Sequence, residues 1–433
     1  MHPSFRFTLL ILLFLSSTVP ACSSPEPDSP DQLHSDPDGV ESTVRIGAER
    51  LFSDYFHQIV GKRIGLVTNH SAIVEGRHLI DLLHEHPEVE LTALFGPEHG
   101  IRGDADAGEE VEHNVDEKTG IPVFSLYGPT PRPTMEMLEE VDLLLFDIQD
   151  VGARFYTYTI TMGRSMISAA EAGIPFLVLD RPNPLGGLQM EGPILEESYR
   201  SGIGAYPIPV THGMTVGELA RMIQGEEWHE GLDSLELHVV PLEGWTREML
   251  WPETGLSWIS PSPNIPTFET ALIYPGSCLV EATTASEGRG THSPFLMVGT
   301  PHTDSEQLAN TLNRHKLPGV RFVPARFTPK SIPGMSTNPK HQGVGLHGVQ
   351  IVVTDPHAVR PVELGVHLLS LMYRQLPERE KERFFLERGL EIRMGSSSTR
   401  TRIEREEPIA RITDWKSDVE QFQRQREPYL LYD

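Results

Sequence analysis

Short apolar runs separated by polar loops recur through the first part of the chain. The runs at 63–68, 89–95, 121–127, 143–146 and 174–179 are four to seven residues long and rich in Val, Ile, Leu and Phe. Runs this short, apolar at consecutive positions, predict strands buried on both faces. Helical periodicity lies between several of them, notably at 77–84 and 161–172. Strands alternating with helices predict an α/β fold with a mostly parallel sheet covered on both sides.

The pattern changes further along. A helix is predicted at 214–224, with Thr215 as N-cap and Glu218 three residues on to complete a capping box. Beyond about residue 300 come a helical pattern at 305–314, strands at 320–326 and 348–354, and helices at 362–374 and 419–425. We read a larger domain over 45–300 and a smaller α+β C-terminal domain over 301–433 that completes a cleft. A chain of 433 residues is long for a single core.

The first residues read as an export signal. Arg6 precedes the apolar run 9–15, which is short for a membrane span, and small residues lead to Val19-Pro20-Ala21-Cys22. That box is similar to a bacterial lipoprotein cleavage site, with Pro20 departing from the usual pattern. It implies a signal peptide over 1–21 and lipidation of Cys22, hence a protein anchored to an envelope membrane and facing the periplasm; ordinary cleavage would leave it soluble in the periplasm or secreted. Residues 22–44 are rich in Ser, Pro and Asp and read as a flexible tether. The remaining cysteine, Cys278, reads as a small core residue. A formal net charge of −25 argues against nonspecific nucleic-acid binding.

Polar loops follow the predicted strands: Asn69-His70-Ser71, Pro97-Glu98-His99, 147–154 and Asp180-Arg181-Pro182-Asn183. In open α/β sheets the crevice lies at the strand carboxyl ends, so these loops are expected to converge. Glu98, between Phe95 and Ile101, is the leading candidate for an acid with a raised pKa, or else a structural partner of Arg102 or His99. His99 is suited to orienting or protonating a reacting oxygen, and Arg102 to binding an anion. Asp147 reads as a second carboxylate, and Gln149 as a ligand for a hydroxyl or amide. Asp150 reads either as a site residue or as a helix cap paired with Arg154. Tyr156, His212, Asn264, Glu287 and Arg289 are further candidate contacts, each with a structural alternative; Glu287 is also the reserve candidate for the second catalytic carboxylate, Glu281 adds a late carboxylate, and Glu191 either completes the cleft or holds its floor.

Taken in order, Gly65-Leu66-Val67-Thr68-Asn69, Phe95-Gly96-Pro97-Glu98-His99-Gly100, Asp147-Ile148-Gln149-Asp150-Val151-Gly152-Ala153-Arg154-Phe155-Tyr156, Asp180-Arg181-Pro182-Asn183-Pro184, Ser262-Pro263-Asn264 and Ser286-Glu287-Gly288-Arg289-Gly290-Thr291 closely resemble the bacterial exo-β-N-acetylmuramidase family, from about Arg45 to Tyr432. The resemblance implies a Rossmann-like domain, a smaller C-terminal domain and an active site between them. It further implies release of N-acetylmuramic acid from nonreducing ends of peptidoglycan fragments; no cofactor or metal is expected. Glu98 matches the glutamate expected to be the catalytic acid. Arg102, Arg154 or Arg289 would recognise the lactyl carboxylate, and Gln149 or Asn264 the N-acetyl group. Two other readings remain: a metal-dependent hydrolase drawing on His99, His113, Asp147, Asp150 and His212, and a noncatalytic muropeptide-binding lipoprotein.

Overall fold

The computed structural model describes residues 44–97, 100–102 and 114–433; Cys22, Glu98, His99 and His113 lie outside the described residues. The strands before the C-terminal region are β1 (Arg63–Thr68), β2 (Ile73–Val74), β3 (Arg77–His78), β4 (Glu90–Gly96), β5 (Asn114–Val115), β6 (Pro122–Ser125), β7 (Leu143–Asp147), β8 (Phe176–Leu179) and β9 (Leu237–Val240). Seven of them form one sheet in the order β5-β6-β4-β1-β7-β8-β9. Every neighbouring pair is parallel except β5 with β6. Numbered by appearance, the six parallel strands run 3-2-1-4-5-6, the order of a doubly wound Rossmann-type sheet. The chain therefore turns in opposite directions from β1 and β7, which opens a crevice beyond their carboxyl ends.

Alternation along the strands divides the core. Ile64, Leu66, Leu94, Leu143, Leu145, Leu177 and Leu179 meet Leu51, Ile80 and Leu83 on one face. Val67, Phe95, Leu144, Phe146, Phe176 and Val178 face the helix Tyr158–Ala172 on the other. The helix expected over 77–84 starts later, at Leu79. Glu75 and Gly76 adopt positive φ (48° and 78°) and turn β2 back onto β3, after which the His78 ring accepts the Ile80 N–H at 3.1 Å and caps the helix.

The C-terminal region contains β10 (Met297–Thr300), β11 (Val320–Phe327) and β12 (Leu346–Val353), an antiparallel sheet in the order β10-β12-β11. Its helices Phe268–Ser277 and Pro361–Gln375 cross where Gly276 lies against Pro361 and Gly365. A Cβ on Gly276 would fall 1.7 Å from the Pro361 carbonyl oxygen, so only glycine permits the approach. One continuous core joins this region to the β1–β7 face carrying Phe95 and Phe146. The chain end returns to the large sheet: the Tyr432 hydroxyl donates to Asp180, and Arg426 donates to the carbonyls of His212 and Gly213. Among the described residues, no helix is long and apolar enough to cross a membrane.

Candidate active site

The loops after β1 and β7 interlock at the switch point. The Ser71 hydroxyl donates to Asn69 Oδ1 at 2.5 Å and accepts the Gln149 N–H at 3.0 Å. Gln149 in turn donates to the carbonyls of Asp150 and Pro182 at 2.8 and 2.9 Å. These bonds satisfy only half of each amide: Asn69 Nδ2 and Gln149 Oε1 are buried without a hydrogen-bond partner. Two unmet amide atoms, a donor and an acceptor, suit a polar ligand or ordered water.

Asp150 is the carboxylate this loop leaves available. It is 5% exposed; Oδ2 accepts the Gly152 N–H at 2.7 Å, and Oδ1 has no hydrogen-bond partner. Gly152 makes the turn possible, with φ at 78° and a Cβ position 2.3 Å from Asn183 Oδ1. Burial pushes the carboxyl up to about 7, against the smaller lowering effect of the Gly152 and Val151 N–H groups. The expected ion pair with Arg154 is not formed. The Arg154 guanidinium instead donates to the carbonyls of Pro193, Ile208 and Arg393, and burial lowers it to about 9.

Other candidates are engaged in holding the crevice together. Asp147 is fully buried, and both of its oxygens accept from Arg181. With both oxygens taken up by Arg181, neither is left for the second catalytic carboxylate role expected of Asp147. Arg102 lies away from an anion-binding arrangement, because it bonds Asp116 at 3.0 and 3.1 Å and Asp81 at 3.3 Å. His212 accepts the Met214 N–H through Nδ1, and burial lowers it to about 3, so it is neutral. Glu191 accepts the Glu363 N–H at the start of the helix Pro361–Gln375, where it acts as a cap. Asp180 accepts from Thr215, Gly217 and Tyr432 and joins β8 to the next helix. That helix, Val216–Gly225, has the Thr215–Glu218 capping box the sequence predicts.

A second wall comes from 258–295. The carbonyl of Ser260 bonds the His70 ring at 2.7 Å, and that of Pro261 accepts the Tyr158 hydroxyl at 2.8 Å, so this loop is pinned over the strand ends. Tyr156 meets Tyr158 and Tyr274 edge to face, with centroids 4.9 and 5.7 Å apart. Asn264 donates to the Met335 carbonyl at 2.6 Å, while its Oδ1 is buried and unpartnered. Glu287 lies 3.1 Å from Lys340 and 3.8 Å from Arg289, and Arg289 is bonded to Glu281.

The structure thus joins Asn69, Gln149 and Asp150 at the switch point, and Tyr156 with Arg289 around an adjoining cavity. Sequence reading missed Ser71 as the link between Asn69 and Gln149, and it missed Arg393 in that cavity. Arg393 sits in a charged helical stretch with no motif to distinguish it from its neighbours. Among the described residues, no three His, Cys, Asp or Glu side chains cluster as metal ligands.

Comparison with known proteins agrees with this architecture. Family models for the N-terminal and C-terminal parts of exo-β-N-acetylmuramidase NamZ match residues 64–269 and 272–432. The peptidoglycan β-N-acetylmuramidase NamZ of Bacillus subtilis (strain 168) is 46% identical over 429 residues, covering 98% of this chain and 99% of the relative. Two solved DUF1343 family proteins from Bacteroides fragilis NCTC 9343 superpose with TM-scores of 0.83 and 0.73, at 38% and 36% identity, each covering 90% of this chain and 99% of its own. With its Rossmann-type sheet, its smaller C-terminal region and both family models matched in sequence, the chain belongs to the NamZ exo-β-N-acetylmuramidase family.

Proposed function

We propose that this protein is an exo-acting glycoside hydrolase that releases N-acetylmuramic acid from nonreducing ends of peptidoglycan fragments, with Glu98 as general acid. The observation that carries the reading is Asp150: a desolvated carboxyl at the switch point, with one unpartnered oxygen and a pKa raised to about 7. In this scheme Glu98 protonates the departing glycosidic oxygen. Asp150, in its ionised form, activates water or stabilises the oxocarbenium-like transition state. Asn69 Nδ2 and Gln149 Oε1 supply a donor and an acceptor for the hydroxyl and acetamido groups of the sugar. The N-terminal signal pattern and Cys22 support an envelope location through a lipid anchor.

The test is release of free N-acetylmuramic acid from a MurNAc-GlcNAc disaccharide by wild type, Glu98→Gln and Asp150→Asn, with folding verified by circular dichroism. Wild type should turn over, and each variant should lose about 100-fold or more in kcat. No release by folded wild type would reject the substrate. Full activity in Glu98→Gln would remove the proposed acid, and full activity in Asp150→Asn would remove the second group.

A further inference from the structure

Beside Tyr156 lies a cavity of about 160 Å³, walled by Tyr158, Ser262, Tyr274 and Phe295 and bounded by Glu281, Arg289 and Arg393. Its volume is below the several hundred Å³ usual for a whole ligand and fits one substituent. Glu281 accepts from Arg289 Nε at 3.0 Å and from Arg393 Nη2 at 2.9 Å. Burial alone would raise the Glu281 carboxyl, but the two guanidinium groups outweigh it and hold it down at about 2. Adjoining Glu287 is held by Lys340 at 3.1 Å. Outside the cavity lining, Lys340 is matched by Glu287 and by the carbonyls of Val280, Glu281, Thr283 and Ala285; within it, two cations (Arg289, Arg393) meet one carboxylate (Glu281), leaving one positive charge in excess. Burying unbalanced charge is costly, and a net cation beneath aromatic walls is completed by an anion.

We infer that Arg289 and Arg393 form an anion subsite that receives the lactyl carboxylate of a terminal N-acetylmuramic acid residue, with Tyr156 and Tyr274 packing against the lactyl methyl group. This rests on the proposed function and adds to it the residues that distinguish muramic acid from glucosamine. Arg102 and Arg154 are ruled out for this role by their partners, Asp81 and Asp116 for one and three carbonyls for the other. Arg154 instead positions the subsite, because its Nη2 donates at 2.8 Å to the carbonyl of Arg393 itself.

The experiment compares kcat/KM for the 4-nitrophenyl β-glycosides of N-acetylmuramic acid, of its lactyl carboxamide and of N-acetylglucosamine. Wild type should prefer the free acid over the neutral amide by about 30- to 1000-fold, the usual size of losing one partner from a buried charge pair. Arg393→Met, verified as folded by its melting curve, should lose a similar factor on the acid and little on the amide. Arg289→Lys, which keeps the charge, should retain part of the preference. Equal rates on acid and amide by wild type, or an undiminished preference in folded Arg393→Met, would overturn the subsite and leave the hydrolase reading standing. If no glycoside is turned over, the hydrolase reading fails. The subsite is then decided by calorimetric titration with free N-acetylmuramic acid and N-acetylglucosamine: equal affinity for the two overturns it, and muramic acid binding that Arg393→Met weakens supports it.

Discussion

Replacing Asp147 by Asn separates a structural from a chemical role for that carboxylate. Asp147 and Arg181 have side chains 0% and 5% exposed, and the guanidinium binds both carboxylate oxygens. Removing one member of a buried pair leaves the other charge uncompensated and costs about 3–5 kcal/mol, whereas replacing both with apolar residues is often close to neutral. For unfolding entropy of about 2.1 cal/mol/K per residue, a chain of 433 residues has roughly 0.9 kcal/mol/K at its midpoint. The loss then corresponds to a drop in Tm of about 3–6 °C. Differential scanning calorimetry of Asp147→Asn, Arg181→Met and an Asp147→Leu/Arg181→Met double variant forms the test. Each single variant should melt several degrees low, and the double variant should recover most of the difference. Hydrolysis per folded molecule should fall far less in Asp147→Asn than in Asp150→Asn. An unchanged Tm in Asp147→Asn with a hundredfold loss of kcat would refute the assignment and return Asp147 to the chemistry.

Asp150 makes stability depend on pH with a definite sign. Its folded pKa of about 7 lies above the ordinary 3.8, so its favourable contribution is complete below 3.8 and is lost as pH rises through about 7. Asp150→Asn should therefore match wild type in stability at pH 4 and exceed it at pH 8 by up to roughly 4 kcal/mol, read by urea titration; no pH-dependent difference would show that the carboxyl is not desolvated. Tyr432→Phe removes the phenolic donor to Asp180 and the acceptor of the Leu242 N–H, and should cost about 1–3 kcal/mol in the same assay. Gly276→Ala drives a methyl group into the Pro361 carbonyl and should cost about 3 kcal/mol or more or prevent soluble expression, whereas Gly202→Ala, with open space around it, should be nearly silent. Extensive dialysis against a chelator should leave turnover unchanged; loss of activity restored by added metal would favour the metal-dependent reading.

The large sheet was legible because its strands are continuous apolar runs. β1 appears at the expected 63–68, and β4, β6, β7 and β8 lie within about two residues of expectation at nearly every end. Strand β9 escaped notice because three of its four residues are only half-buried, and His238 breaks the apolar run. The helix Phe268–Ser277 was hidden by Pro275 and Gly276, ordinarily helix breakers, which close packing accommodates near its end. Site positions followed from topology, since residues after consecutive parallel strands must meet at one edge. Site roles did not. Asp147 and Asp150 stand three positions apart in similar sequence, and only the fold puts Arg181 against the first and leaves the second without a cation. Arg154 was read as an anion ligand because charge is visible in sequence, whereas the three carbonyls that surround it are not.

The return of the chain end to β8 sets an order of events during synthesis. Until Tyr432 has been made, Asp180 lacks its phenolic donor, and until Arg426 has been made, the His212 carbonyl lacks its guanidinium donor and the Gly213 carbonyl has only Arg247. Both belong to the crevice side of the large sheet, whose own strands were completed nearly two hundred residues earlier. A growing polypeptide can therefore pair its strands early but acquires its finished polar interior only with the last few residues. Loss of the final turn would be felt some two hundred residues back along the chain, at the end of β8 and in the loop before the helix Val216–Gly225, within the half matched by the N-terminal family model.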